Sequence, residues 1–504
     1  VNIPWISALV FLPAFGAIGL ALLPKGEDYK FARLWSLIVS LGTLFISLGI
    51  AFQFNLSDPA PQFRESRPWI QQLGLNYSVS VDGISLPLVL LTTLLVVLSI
   101  ITSWEQQKRP RMYYSMVLLL TCGVLGAFVS EDLLLFFLFY ELELIPLYFL
   151  IAIWGGVRRE YAGTKFLLYT VLSSVFLLVA FLSAYFVSGL NTFDIHALAN
   201  PATPYPIAFQ IFMLVLITLG FGIKIPLVPL HTWLPDAHVE APTAVSVLLA
   251  GVLLKLGTYG ILRFGVSIFP QAALDLSWLL AALAAINVVY ASLAALAQTD
   301  MKKMIAYSSI AHMGYVILGV ATLGETGLQG AVFQMISHGV ISALLFMLVG
   351  LVYEQAKTRD LDKLGGLFDR QKGLPLVGAF MVAAAMANAG LPGMSGFVAE
   401  FLVFKGGYTQ FPIATALCIF GTVLTAVYLL VLLQKAFFGS SPKALGILPK
   451  PNVFAYFPAT VLAFCMVGLG LFPNLMTGIS AASVTALAKQ MQSQQTVAQT
   501  IQTR

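Results

Sequence analysis

The sequence predicts an all-α polytopic membrane protein of about fourteen transmembrane helices, from its hydropathy, the length of its apolar runs and the placement of its basic residues. Of 504 residues, 59% are hydrophobic and 10% charged, whereas soluble domains are roughly a quarter charged. A spanning helix takes about 20 apolar residues. Runs of that length occupy 3–23, 31–54, 83–103, 112–129, 131–154, 164–188, 207–230, 240–265, 276–298, 304–323, 330–353, 374–404, 411–438 and 454–472. One transmembrane domain over 1–504 is expected.

The first run starts at Val1 without a basic segment before it or a small-residue cleavage site after it, which argues against a removable signal peptide. The missing Met points to an incomplete start. Between the second and third runs, Asn55 to Asp82 is the one long polar connection, and its NYSVSVD alternation predicts a short surface hairpin. Odd-numbered loops hold Lys25, Lys30, Arg33, Lys108, Arg109, Arg111, Arg158, Arg159, Lys165, Lys302, Lys303, Lys357, Arg359, Lys363, Arg370, Lys372, Lys435, Lys443 and Lys450. Even-numbered loops hold Arg64, Arg67, Arg263 and Lys405, so the tally is 19 against 4. Odd loops are therefore expected in the cytoplasm and both termini on the opposite side. The net charge of +5 reports topology and implies no nucleic acid.

Cys122, Cys418 and Cys465 lie in apolar runs without metal-ligand spacing, and neither a GxGxxG after a strand nor a GxxxxGK[ST] is present. No cofactor and no metal is expected on this chain. With Lys489 and Arg504 in the tail, only Lys224 and Lys255 remain among the 27 basic residues without a loop.

A charge at the centre of a membrane helix costs at least roughly 2.5 to 3.5 kcal/mol, so such residues face a bundle interior and usually serve transport. The apolar runs contain Glu141 and Glu143, Lys224, Lys255, His312, His338 and Glu400. Taken singly each has a structural explanation: snorkelling for Lys224, an ion pair for Lys255, a satisfied core ring for each histidine, a neutral acid for Glu400. The set together argues for proton transfer, because burial and neighbouring charge tune Lys, Glu and His over a wide range. Glu141 and Glu143 stand about 200° apart on a helix, so one is expected to pair with an interior base and the other to be secondary. Pro226 and Pro229 break the seventh run and Leu391-Pro-Gly-Met-Ser-Gly396 the twelfth. These two helices run in opposite directions, as in an inverted repeat, which matches Lys224 in one half with Glu400 in the other.

The strings ELELIPLYFLIAIWGG, KIPLVPLHTWLPDAH, LLKLGTYG, DMKKMIAYSSIAHMGYV, QMISHG and LPGMSGFVAEF resemble, over about residues 80 to 440, the antiporter-like membrane-arm subunits of complex I. These are the NuoM type of bacteria and the NdhD type, chain 4, of cyanobacteria and chloroplasts. The resemblance implies two inverted five-helix repeats, helices 4 to 8 over 112–265 and helices 9 to 13 over 276–438, with helices 7 and 12 broken. It implies a proton path through Glu141, Lys224, Lys255, His312, His338 and Glu400, with Lys224 paired to Glu141 and Glu143 secondary. The histidines are expected to reach Lys255 through water.

The terminal Glu400, where sister subunits commonly have Lys, and the end of the chain soon after the fourteenth span set it apart from the largest sister with its long lateral helix. The second acid Glu143 resembles the photosynthetic branch of the family, while Tyr140 in place of Trp and HVEAPTAVSVLLAG resemble the cyanobacterial paralogues of the CO2-uptake form. The implied function is proton translocation within an NAD(P)H or ferredoxin:plastoquinone oxidoreductase of the thylakoid membrane, in photosynthesis and cyclic electron flow. Plastoquinone and iron–sulfur clusters would reside in other subunits. Implied partners are the NdhF-type and NdhB-type sister subunits, other membrane-arm chains and a CO2-hydrating subunit. The alternative is a subunit of a multisubunit cation/proton antiporter, and a scaffold that has lost pumping is disfavoured by the complete charged series.

Overall fold

The computed structural model describes residues 4–22, 29–201, 203–440, 442 and 445–502; Val1, Lys25, Lys443 and Arg504, used above for the start and the charge tally, lie outside the described residues. Helices 1 to 6 are Trp5–Leu22, Tyr29–Gln53, Ser85–Thr102, Pro110–Val129, Leu133–Trp154 and Arg159–Ser188. Helix 7 runs as Ile207–Lys224 and Trp233–Glu240, and helix 12 as Pro375–Asn388 and Ser395–Gln410. Helices 8 to 11 are Thr243–Val266, Ser277–Leu296, Met301–Ala321 and Glu325–Ala356; helices 13 and 14 are Pro412–Ala436 and Val453–Leu471. Thirteen of these are long and apolar enough to cross a membrane, and the fourteenth expected span, helix 12, is built from two shorter pieces.

Proline at the first helical position opens helices 4, 12 and 13, where a missing amide hydrogen costs nothing. Asp132 and Asp300 cap helices 5 and 10, each accepting from two free backbone amides. Helices 8 and 11 are enclosed along their whole apolar windows, and helix 10 over 94% of its own. Helices 1, 2 and 14 sit at the rim.

The loops gather on two faces. On the odd face Lys165 meets Asp236, Arg359 meets Asp300 and Lys435 meets Asp362. On the even face Arg64 joins Glu131 and Asp194, and Arg263 joins Asp82. A two-bond bridge shows how the halves are related. On the even face Leu133 N donates to Phe193 O (2.9 Å) and Ile195 N to Glu131 O (2.9 Å). Five helices later, on the odd face, Met301 N donates to Arg359 O (3.0 Å) and Leu361 N to Thr299 O (2.8 Å). The same connection recurs upside down, as an inverted repeat requires.

Three local expectations change. The hairpin forms, as β1 (Gln62–Ile70) antiparallel to β2 (Leu75–Val81), but β2 is largely buried and docked on helices 4 and 5. Many of the residues tallied with the loops lie in the end turns of helices, among them Arg33, Lys165, Arg263, Lys302 and Lys435; Lys302 is 5% exposed and donates to the Ala241 carbonyl (2.6 Å). After helix 14 a further helix, Asn474–Gln502, crosses the even face against helices 3, 11 and 14. Its glutamine-rich sequence has too little apolar surface to register as a span.

Glu131 and Asp132 stand side by side under the hairpin and titrate oppositely. Burial would raise Glu131, but hydrogen bonds from His196 and Ser80 and the charge of Arg64 outweigh it and hold its carboxyl at about 2. Burial pushes Asp132 from an ordinary 3.8 up to about 6, against amides of Leu135, Asn76 and Leu134 and with repulsion from Asp194. Folded Asp132 thus keeps its proton to higher pH than the unfolded chain, so stability falls as pH rises through this interval and stays lower above it. Asp132→Asn retains a capping oxygen and is expected to slow hydrogen exchange at the Leu134 and Leu135 amides near pH 8. The advantage should vanish near pH 4, and faster exchange in the variant near pH 8 would refute this reading.

Candidate functional site

Pro146 withholds an amide donor, and helix 5 pauses between Leu142 and Leu144 with Glu143 at the joint. Lys224 is the last residue of the first segment of helix 7, where the negative end of the helix dipole favours a cation. Its ammonium forms an ion pair with Glu143, not with Glu141 as expected. Lys224 is 2% exposed and Glu143 not at all. Glu141, on the other side of helix 5, is half-buried and hydrogen-bonded to Ser174 of helix 6. The reason is the phase of helix 5 at its joint. Glu143 turns toward helix 4 at Gly123, where a Cβ would come within 3.0 Å of the Glu143 amide nitrogen and of the Phe139 carbonyl. The Lys224 ammonium also lies 4.9 Å from the centre of the Tyr140 ring, within cation–π range.

The break after Lys224 is satisfied by side chains. Val228 N donates to Asn287 Oδ1 (2.8 Å), and Trp233 Nε1 donates to the Ile223 carbonyl (2.8 Å). Asn287 is in turn fixed by donating to the Ile310 carbonyl (2.7 Å).

The second group is a line through the enclosed helices. Helix 8 carries π-helical turns at Leu249–Leu253 and Ile261–Val266, on either side of Lys255. Lys255 Nζ donates to the Ala250 carbonyl and lies 2.7 Å from His338 Nδ1 on helix 11. An ammonium can only donate, so opposite charged Lys255 that nitrogen is the bare one and His338 is neutral. The His338 and His312 rings are 5.7 Å apart, and His312 Nδ1 lies 3.6 Å from Glu400 Oε1 on helix 12. Gln334 Nε2 also approaches His312 Nδ1 at 3.2 Å. Thr422 donates to Glu400 Oε2 (3.0 Å) and meets the Tyr315 hydroxyl at 3.0 Å. His338 therefore touches Lys255 directly, and His312 serves Glu400 rather than Lys255. No hydrogen bond or ion pair among the described residues joins Lys224 to Lys255.

The match of Lys224 with Glu400 does not hold position by position. Lys224 ends the first segment of helix 7 where Asn388 ends that of helix 12, and Glu400 is the sixth residue of its second segment, as His238 is in helix 7. His238 is wholly buried, stacked on Phe346 at 4.4 Å, and neither ring nitrogen has a protein partner. Lys302 and Lys255 both lie within its electrostatic reach. His231, 3% exposed, lies beside the Pro229 backbone and edge-on to Tyr290, with ring centroids 5.1 Å apart. Neither histidine is among the residues expected from the sequence. The signal was available in KIPLVPLHTWLPDAH, because the residues after a break belong to the site that the break creates.

Among the described residues no cluster of His, Cys, Asp or Glu is arranged to hold a metal ion. The arrangement is instead suited to moving protons: titratable groups in series, enclosed by apolar helices.

Residues 130–425 match the family described as NADH:quinone oxidoreductase/Mrp antiporter, TM. A NAD(P)H-quinone oxidoreductase chain 4 of Synechococcus sp. (strain JA-3-3Ab) is 43% identical, with 97% of this chain and 94% of that one covered. A chain of respiratory complex I from Thermus thermophilus with bound NADH superposes with a TM-score of 0.87 at 28% identity, covering 96% of this chain and 99% of that one. A chain of the Mrp complex from Dietzia sp. DQ12-45-1b gives 0.86 at 24% identity, covering 96% and 97%, a likeness of fold.

Proposed function

The chain belongs to the NADH:quinone oxidoreductase/Mrp antiporter family, and we propose that it is the proton-translocating subunit in the membrane arm of a photosynthetic complex I. The observation that carries this is the buried line from Lys255 through His338 and His312 to Glu400. Each member can hold or pass a proton. Lys224 with its acids at the break of helix 7 is the loading group. Moving its ion pair redistributes the charge at the break of helix 7, and the central line responds by passing a proton toward Glu400. Helices 4 to 8 (112–265) and 9 to 13 (276–438) are the two units that rearrange.

The curated relatives bear the name NAD(P)H-quinone oxidoreductase chain 4. On that likeness the electrons pass to plastoquinone through iron–sulfur clusters in other chains, and the NdhF-type and NdhB-type sisters flank this one. The location is the thylakoid membrane, with the basic odd face in the cytoplasm and the termini in the lumen. Tyr140 and the 238–251 segment support the CO2-uptake form of the complex, with its CO2-hydrating partner, and Glu143 supports the photosynthetic branch.

The test is Lys224→Ala in the purified complex reconstituted in proteoliposomes. Electron transfer and assembly are expected to persist while proton uptake per electron falls, and an unchanged ratio would remove Lys224 from the mechanism. Mass spectrometry of the same complex names its partners. The shared fold of the Mrp chain supports a second reading, a cation/proton antiporter subunit; co-purification with a sodium-extruding assembly instead of a quinone reductase would establish it.

A further inference from the structure

Two carboxylates and one ammonium meet at the joint of helix 5, and this count has a consequence for protons. Glu143 is fully enclosed and holds Lys224, while its second oxygen, Oε2, has no partner. Glu141 lies on the opposite side of the same helix against Ser174. One ammonium neutralises one carboxylate, and a second ionised acid within the bundle would be an uncompensated charge.

Ser174 indicates where the remaining proton sits. Its hydroxyl contacts both Glu141 Oε1 and the Thr170 carbonyl, at 2.9 Å from the latter. A hydroxyl has one hydrogen, and a carbonyl can only accept. If Ser174 donates to Thr170, the hydrogen in the contact with Glu141 belongs to Glu141, which is then the neutral acid.

We propose that Glu141 and Glu143 form a two-acid switch that shares one proton, with Lys224 pairing to whichever acid is ionised. In the state seen here Lys224 pairs with Glu143 and Glu141 carries the proton. In the other, Lys224 turns across the Tyr140 ring to Glu141, which has released its proton, and Glu143 has taken one up. The swing from the first state to the second moves one proton from Glu141 to Glu143 while the ammonium moves oppositely. The return swing reverses both unless Glu143 has first passed its proton inward and Glu141 takes a new one from outside. The net charge of the triad is the same in both states. Constant charge keeps the step free of the cost of exposing an ion to a low-dielectric interior. The switch rests on the proton-translocation reading and supplies its loading step.

The experiment uses the intact complex with Glu141→Gln or Glu143→Gln, read in two ways. In infrared difference spectra against the parent, Glu141→Gln is expected to remove a protonated-carboxyl C=O band. Glu143→Gln is expected to remove one as well, because Lys224 then ionises Glu141. Loss of an ionised-carboxylate band in Glu141→Gln would overturn the switch, whatever the pumping result. In proteoliposomes each variant is expected to lower proton uptake per electron alike. Parental uptake in Glu143→Gln, alongside the fall expected for Lys224→Ala, would remove Glu143 from the path and leave the translocation reading standing.

Discussion

Replacing Lys255 with Met in the intact complex is expected to lower proton uptake per electron about tenfold or more, since each 1.4 kcal/mol added to a proton-transfer barrier costs a factor of ten. Lys255 is fully buried, and its partners are neutral: the Ala250 carbonyl and His338 Nδ1. No carboxylate among the described residues forms an ion pair with it. A buried ammonium lacking an acid is a cost to folding, and an apolar side chain of similar length removes that cost. Assembly and electron transfer should therefore survive while the relay loses its central member. Parental proton uptake in Lys255→Met proteoliposomes, measured with a pH-sensitive dye, would show that protons bypass the helix 8 lysine.

The contrast between Lys255 and Lys224 shows what the sequence makes legible. Both stand out because neither has a loop to occupy, and an intramembrane charge is a functional signal without any alignment. Their partners are another matter. The 200° separation of Glu141 and Glu143 places them on opposite sides of helix 5, but which side meets helix 7 depends on the joint before Pro146 and on the space at Gly123. Those are packing facts. The histidines of helices 10 and 11 were visible for the same reason as the lysines, but their order in the line follows from how the helices rotate against one another.

Breaks were legible too, since proline and glycine announce them, and so was the antiparallel relation of helices 7 and 12. Position within the repeat was not. Residue type suggested that Lys224 answers to Glu400, whereas counting from the breaks pairs Lys224 with Asn388 and Glu400 with His238. Asn388 donates to Ser308 Oγ (2.9 Å) and Gly390, two residues on, has φ +77°, so this half of the repeat uses neutral groups where the other uses a lysine. A Cβ at Gly390 would stand 3.1 Å from Glu400 Oε2. Charge is thus distributed asymmetrically over a symmetric scaffold, and on the proposed path this asymmetry is what gives a proton a direction.

Glu400 is the last member of the proposed path, and Glu400→Gln is expected to lower proton uptake per electron about as far as Lys255→Met does. Gln preserves the shape and still accepts from Thr422 through its carbonyl oxygen, so helix 12 should pack as before. It cannot accept a proton from His312, 3.6 Å away. Toward the even face the same half-helix ends at Gln410, which lines a pocket of about 420 Å³ with Thr322 and Gln492. About ten residues, roughly 15 Å of helix, separate the acid from that opening. Release there against 100 mV requires about 2.3 kcal/mol, equivalent to roughly 1.7 pKa units at 1.36 kcal/mol each. A change in the charge on His312 beside a buried acid is of that order, because opposite charge within a few ångströms shifts a carboxyl by about 1 to 3 units. The ratio of protons to electrons in Glu400→Gln proteoliposomes decides the matter: a parental value with electron flow intact would place the exit elsewhere.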